Sequence, residues 1–161
     1  MPILHSQFLA EGKLPGGKSF QVAPSLALMQ RGPVVQIAVT LADVLASELV
    51  KQGKPVPAPI DGWGLIDTGA VSTCIDEAAA TKLNLPVVNV VTLASASHAS
   101  SKAKVYPVKF QIAGLPVAVN VPSAIGAPLE VQGLLALIGR DVLQRCTLFY
   151  NGLTGEITLS I

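Results

Sequence analysis

Aromatic residues make up only 4% of this 161-residue chain and charged residues 13%, and each shortage closes off a class of function. One Trp, two Tyr and four Phe are too few rings to stack a succession of single-stranded bases. Lys and Arg total 11 against 10 acids, a net charge of +1 with no basic cluster, so nucleic acid is not expected as a partner. Cysteine is nearly absent. Cys74 and Cys146 stand far apart, and with His5 and His98 they show no ligand spacing, so neither a metal nor another cofactor is expected. No apolar run approaches the roughly 18 residues that a membrane-crossing helix needs, because Gly or Pro interrupts every candidate. The first residues carry no basic leader followed by an apolar stretch, which makes a cytoplasmic location without membrane contact the expectation. In that compartment the two thiols are expected to be free and buried.

Apolar residues, by contrast, are abundant. Half of the chain is hydrophobic and its mean hydropathy is +0.56, more than a monomer of this size hides easily, so an oligomer is expected. The length suits one core rather than two.

Local patterns divide the chain into short elements. In residues 34–41, Val35, Ile37, Val39 and Leu41 alternate with more polar neighbours, the period of a strand with one buried face. Residues 42–51 carry Leu or Val at helical spacing, with Asp43 near the start and Lys51 near the end, as the helix dipole favours. Gly53 and the prolines at 55, 57 and 59 form a stiff connector into an apolar run, 63–66, with Trp63 in the core. Residues 71–75 read as a strand, and Asp76 caps a short helix that follows. Residues 87–93 and 103–108 flank the small, polar stretch 94–101, which reads as the tip of a long hairpin with His98 in solvent. A second hairpin turns at Ala113-Gly114, and the prolines and glycines of 122–133 mark a loop. Strand 134–138, a short helix over 141–146 and a hairpin through Asn151-Gly152 complete the chain. The pattern is all-β in class, mainly β with two or three short helices.

The N-terminal part is harder to place. Gly12-Lys13-Leu14-Pro15-Gly16-Gly17-Lys18-Ser19 satisfies the letters of a phosphate-binding loop. Pro24, about one turn later, would disrupt the helix such a loop needs, so the segment reads as a flexible Gly/Pro turn.

Chemistry concentrates at Asp67. Leu65-Ile66 delivers this single carboxylate into Thr68-Gly69-Ala70, and none of its immediate neighbours can pair with it. About seventy residues later Leu137-Ile138-Gly139-Arg140-Asp141 repeats the layout of an apolar strand entering a turn and a short helix, which suggests two half-folds about an approximate twofold axis.

These two motifs, in this order and with a hairpin tip between them, resemble the retropepsin-like aspartic proteases, the single-domain relatives of the retroviral enzymes. The resemblance covers residues 33–161; residues 1–32 are left as an N-terminal extension, flexible or a pro-segment. It implies a closed β-barrel and a homodimer that hydrolyses peptide or protein substrates, each subunit giving one catalytic aspartate, Asp67. Thr68 matches the residue whose hydroxyl braces the opposing loop across the dimer axis, and Gly69, followed by Ala70, matches the backbone beside the substrate. Ala94, Ser95, Ala96, Ser97 and His98 match, in order, the flap that closes over a bound peptide. Gly139, Arg140 and Asp141 form the supporting second motif, with Asp141 read as a helix cap. Where retroviral enzymes place an acid two positions after the glycine, this chain has Val71, so Asp141 or Asp76 is the expected partner of Arg140. The chemistry agrees with a dimer. Two carboxylates about 3 Å apart share one proton, the ionised one activating water while the other donates to the scissile carbonyl, and the pair titrates as a unit. The rival reading is a non-catalytic module of the same fold that binds peptides in the cleft.

Overall fold

The structure is a computed structural model that describes residues 2–95 and 98–161, with side chains except at 94–100. The elements in chain order are β1 (Ile3–Gln7), β2 (Ala10–Lys13), β3 (Ser19–Val22), α1 (Pro24–Arg31), β4 (Val34–Leu41), α2 (Asp43–Lys51), β5 (Ile60–Ile66), β6 (Cys74–Asp76), α3 (Glu77–Lys82), β7 (Asn89–Ser95), β8 (His98–Ile112), β9 (Ala118–Ala127), β10 (Ala136–Ile138), α4 (Arg140–Leu143), β11 (Thr147–Asn151) and β12 (Glu156–Ser160).

The chain is mainly β and its centre is a closed six-stranded barrel. Its strands run in the order β4-β5-β10-β6-β9-β8, and β8 returns to pair with β4. Alternation decides what fills it. Val35, Ile37 and Val39 of β4 point inward and meet Phe110 and Ile112 of β8 across the closing ladder, Ile37 opposite Ile112 and Val39 opposite Phe110. Gly64 of β5 keeps the barrel tight, since a Cβ there would stand 3.0 Å from Ile37 and 3.3 Å from Ile138.

β8 serves two structures. Its first half pairs with β7 in a hairpin, and its second half enters the barrel between β4 and β9. The expected loop over 122–133 is corrected here, because β9 continues to Ala127. The register of β8 against β9 shifts between Tyr106 and Val108, so that Pro107 faces the two residues Pro122 and Ser123. Both prolines thus sit in a bulge, where a strand tolerates them. The strand expected over 71–75 shrinks to β6, because the backbone before it turns to bond the second motif, as described below. The described residues also hold four α-helices rather than two or three. The additional one is α1, where Pro24 occupies the first turn, a position at which its missing N–H costs nothing.

Residues 2–32, expected as an extension, pack on the rest of the chain. β1 pairs with β12 along its whole length, from Ile3 opposite Ser160 to Gln7 opposite Glu156. Phe8 and Leu28 are buried in the same core as Ile157 and Leu159. The start of α1 sits directly on the turn before β12, where a Cβ on Gly155 would meet the Pro24 backbone at 2.1 Å. That turn is a four-residue loop, 152–155, rather than a two-residue one, since Asn151 lies opposite Glu156 and its side chain accepts from the amides of Leu153 and Thr154. The segment with phosphate-loop letters joins β2 to β3, so Ser19 opens a strand where a phosphate site needs a helix.

Candidate active site

Two parallel strands bring the motifs together. β5 and β10 pair with Leu65 beside Leu137 and Ile66 beside Ile138, so Asp67 and Gly139 emerge side by side. The amide of Asp67 donates to the Ile138 carbonyl at 3.0 Å, extending the ladder by one bond into the turn. Sequence separation is thus cancelled by register.

The Asp67 carboxylate is half-buried and asymmetrically held. Oδ1 accepts from the amides of Gly69 at 2.8 Å and Ala70 at 3.2 Å, and the Ala70 amide also reaches the Asp67 carbonyl. Oδ2 has no protein donor among the described residues. Glycine suits the third turn position because a Cβ at Gly69 would lie 3.1 Å from Asp67 Oδ1. Thr68 is exposed, and its hydroxyl makes no bond within the chain among the described residues. Val71, next along the loop, is 67% exposed.

Behind this turn the second motif is locked to the first. Arg140 and Asp141 donate their amides to the carbonyls of Ala70 and Val71 at 3.0 and 3.1 Å. Thr73, fully buried, joins both sides: its hydroxyl donates to Asp141 Oδ1 at 2.7 Å and accepts from the Gly139 amide at 3.0 Å. Both Asp141 oxygens also accept from the Thr73 amide at 3.0 Å, and Oδ1 takes the Val142 amide. The cap position itself belongs to Gly139, so Asp141 braces the 70–73 segment more than it caps α4. Thr73 was not singled out from the sequence. The signal for it was a hydroxyl six residues beyond Asp67, where a plain strand reading assigned no polar partner.

Arg140 does not find the expected acids. Asp141 is engaged with Thr73, and Asp76 accepts from the amides of Ala79, Leu129 and Glu130. Among the described residues the ion pairs are Lys104 with Glu77 and Lys109 with Asp43, and the Arg140 side chain stays exposed. Trp63, expected in the core, stands on the outer barrel wall instead and is 40% exposed.

The flap residues divide. Ala94 and Ser95 end β7 and His98 opens β8, with Ser95 paired opposite His98. Ala96 and Ser97 lie outside the described residues, as do the side chains of Ala94, Ser95 and His98.

Both cysteines are free and half-buried rather than fully buried. Burial pushes the Cys74 thiol up from its usual range, and the carboxylates of Asp141 and Asp67 push it further in the same direction; burial alone raises Cys146. Changing Asp67 to Asn removes one negative charge that opposes the thiolate. Alkylation of Cys74 by iodoacetamide at neutral pH should then accelerate relative to Cys146, by less than about tenfold because burial is the larger cause. Peptide mass mapping of the two sites reads that ratio, and an unchanged ratio would show that the two groups do not feel one another.

No protein-family model matches the chain, and no curated protein matches it either.

Proposed function

We propose that this chain is one half of an aspartic endopeptidase of the retropepsin-like type. The observation that carries the reading is the Asp67 turn: one carboxylate oxygen held by two backbone amides, the other without a donor among the described residues, and the whole turn braced from behind by Gly139, Arg140 and Asp141. Such a carboxylate is oriented but left free to exchange a proton. Hydrolysis needs two of them. In the dimer an ionised Asp67 takes a proton from water as the water oxygen bonds to the scissile carbon, and the partner's protonated Asp67 gives its proton to the carbonyl oxygen. Collapse of the tetrahedral intermediate returns a proton to the leaving nitrogen and breaks the C–N bond. The exposed Thr68, Gly69 and Val71 offer a surface on which two turns meet. No cofactor enters this scheme, and a cytoplasmic location belongs to the same reading.

The test is digestion of a peptide library across pH, with and without pepstatin, followed by mass spectrometry over a range of protein concentrations. Cleavage should be inhibited by pepstatin, and activity per chain should rise with concentration through the monomer–dimer transition seen by light scattering. Specific activity independent of concentration in a strictly monomeric protein would overturn the scheme. A peptide-binding module of the same fold would bind library members and cleave none.

A further inference from the structure

Three cavities on the outer barrel wall open around a single side chain. Their volumes are about 480, 530 and 310 Å³, and Trp63 lines all of them. The parity of β5 explains this: Gly62, Gly64 and Ile66 are turned to the core, which leaves Asp61, Trp63 and Leu65 outside. The indole therefore stands on the outer wall where the three cavities border one another, and it is the one tryptophan of the chain.

Polar groups ring it. Gln36 lies directly opposite Trp63 in the β4–β5 ladder, and Asp61 belongs to both the first and the third cavity. Gln111 has its Nε2 committed to the carbonyls of Ile112 and Leu115, which leaves its own carbonyl oxygen as an acceptor at the first cavity. The side chains of Asp61 and Gln36 make no hydrogen bond among the described residues. Meanwhile β5 is paired on both edges, by β4 and β10, so its backbone offers no ladder to an extended peptide. Whatever sits here is read by side chains.

A flat apolar ring beside a carboxylate and two primary amides complements a ligand with a C–H face and a rim of hydroxyls. We propose that the outer wall around Trp63 binds a saccharide, one pyranose ring stacking on the indole at the first cavity while Asp61, Gln36 and Gln111 take its hydroxyls. The cavities on the other sides of Trp63 leave room for a second and third sugar unit.

The test uses the full chain with maltotriose, cellotriose and chitotriose as probes and a proline-rich decapeptide as the rival ligand. Because Trp63 is the only tryptophan, its emission reports on this site alone. At least one trisaccharide should shift the emission saturably, with matching heat in calorimetry. Trp63→Ala and the exposed Asp61→Asn should each weaken that binding at least about tenfold by calorimetry, whereas Trp63→Phe should retain part of it. Saturable binding by none of the three sugars, binding of the peptide alone, or unchanged affinity in a folded Asp61→Asn and Trp63→Ala would overturn the proposal. The outcome does not depend on whether the chain cleaves peptides.

Discussion

Asp67→Asn should abolish the proposed peptide cleavage while leaving the fold and the proposed dimer intact. Asn retains the oxygen that accepts from Gly69 and Ala70, and its amide nitrogen replaces only Oδ2, which has no donor among the described residues. The cost in stability should therefore stay near or below about 1 kcal/mol. The chemistry is another matter. An amide neither takes a proton from water nor gives one to a carbonyl, and in a homodimer the change removes both groups at once. General acid–base assistance is worth about 10² to 10⁴ in rate, so a loss on the order of 10⁴ or more is expected. Asp67→Ala separates the two roles of the residue, because it also strips the acceptor from two turn amides and should add on the order of 1–3 kcal/mol of destabilisation. Cleavage within tenfold of the parent in folded, dimeric Asp67→Asn would end the peptidase reading, and light scattering with circular dichroism on the same sample establishes that condition.

What was legible in the sequence was whatever a local rule could carry. Alternation placed β4 over residues 34–41, as the structure has it, and Asp76 caps α3 through the Ala79 amide as its position before Glu77 suggested. The two motifs could be recognised as a repeated layout because each ends an apolar strand and enters a turn, but that their strands pair is seen only in the structure. Less legible was everything that depends on a distant partner. Nothing within Ile3–Gln7 says that it will pair with the last strand, and Pro122 reads as the start of a loop until a bulge accommodates it opposite Pro107. Trp63 follows the parity of its own strand outward, but the side of β5 that faces the core is set by Gly62 and Gly64, whose lack of a side chain leaves no pattern to read. The role of Thr73 required knowing that residues 139–141 return to it. In each case the missing information was a long-range register, which periodicity within a segment does not encode.

Gly139→Ala should be the most damaging single methyl group near the site. The backbone at Gly139 is extended, with φ −84°, so conformational freedom is not the reason for glycine here. Space is. A Cβ would stand 2.6 Å from the Ser72 carbonyl carbon and 2.8 Å from both the Ser72 oxygen and the Thr73 nitrogen, all backbone atoms that no rotamer change can move aside. To admit it, the 70–73 segment must retreat from α4. That retreat would stretch the bonds from Arg140 to Ala70 and from Asp141 to Val71, and pull the buried Thr73 hydroxyl from Asp141 and Gly139. Overpacking alone costs about 1–3 kcal/mol and each buried group left unsatisfied a similar amount, so a total of about 4 kcal/mol or more is expected. Against the 5–15 kcal/mol of a typical domain, that leaves a chain marginally folded. Urea unfolding should show the midpoint falling steeply, whereas Arg140→Gln, on an exposed side chain with no acidic partner among the described residues, should move it little. If Gly139→Ala unfolds like the parent but cleaves peptides more slowly, the bracing by the second motif acts on the geometry of Asp67 rather than on the fold. If both properties are unchanged, the close crossing of the two motifs is not a constraint on this protein.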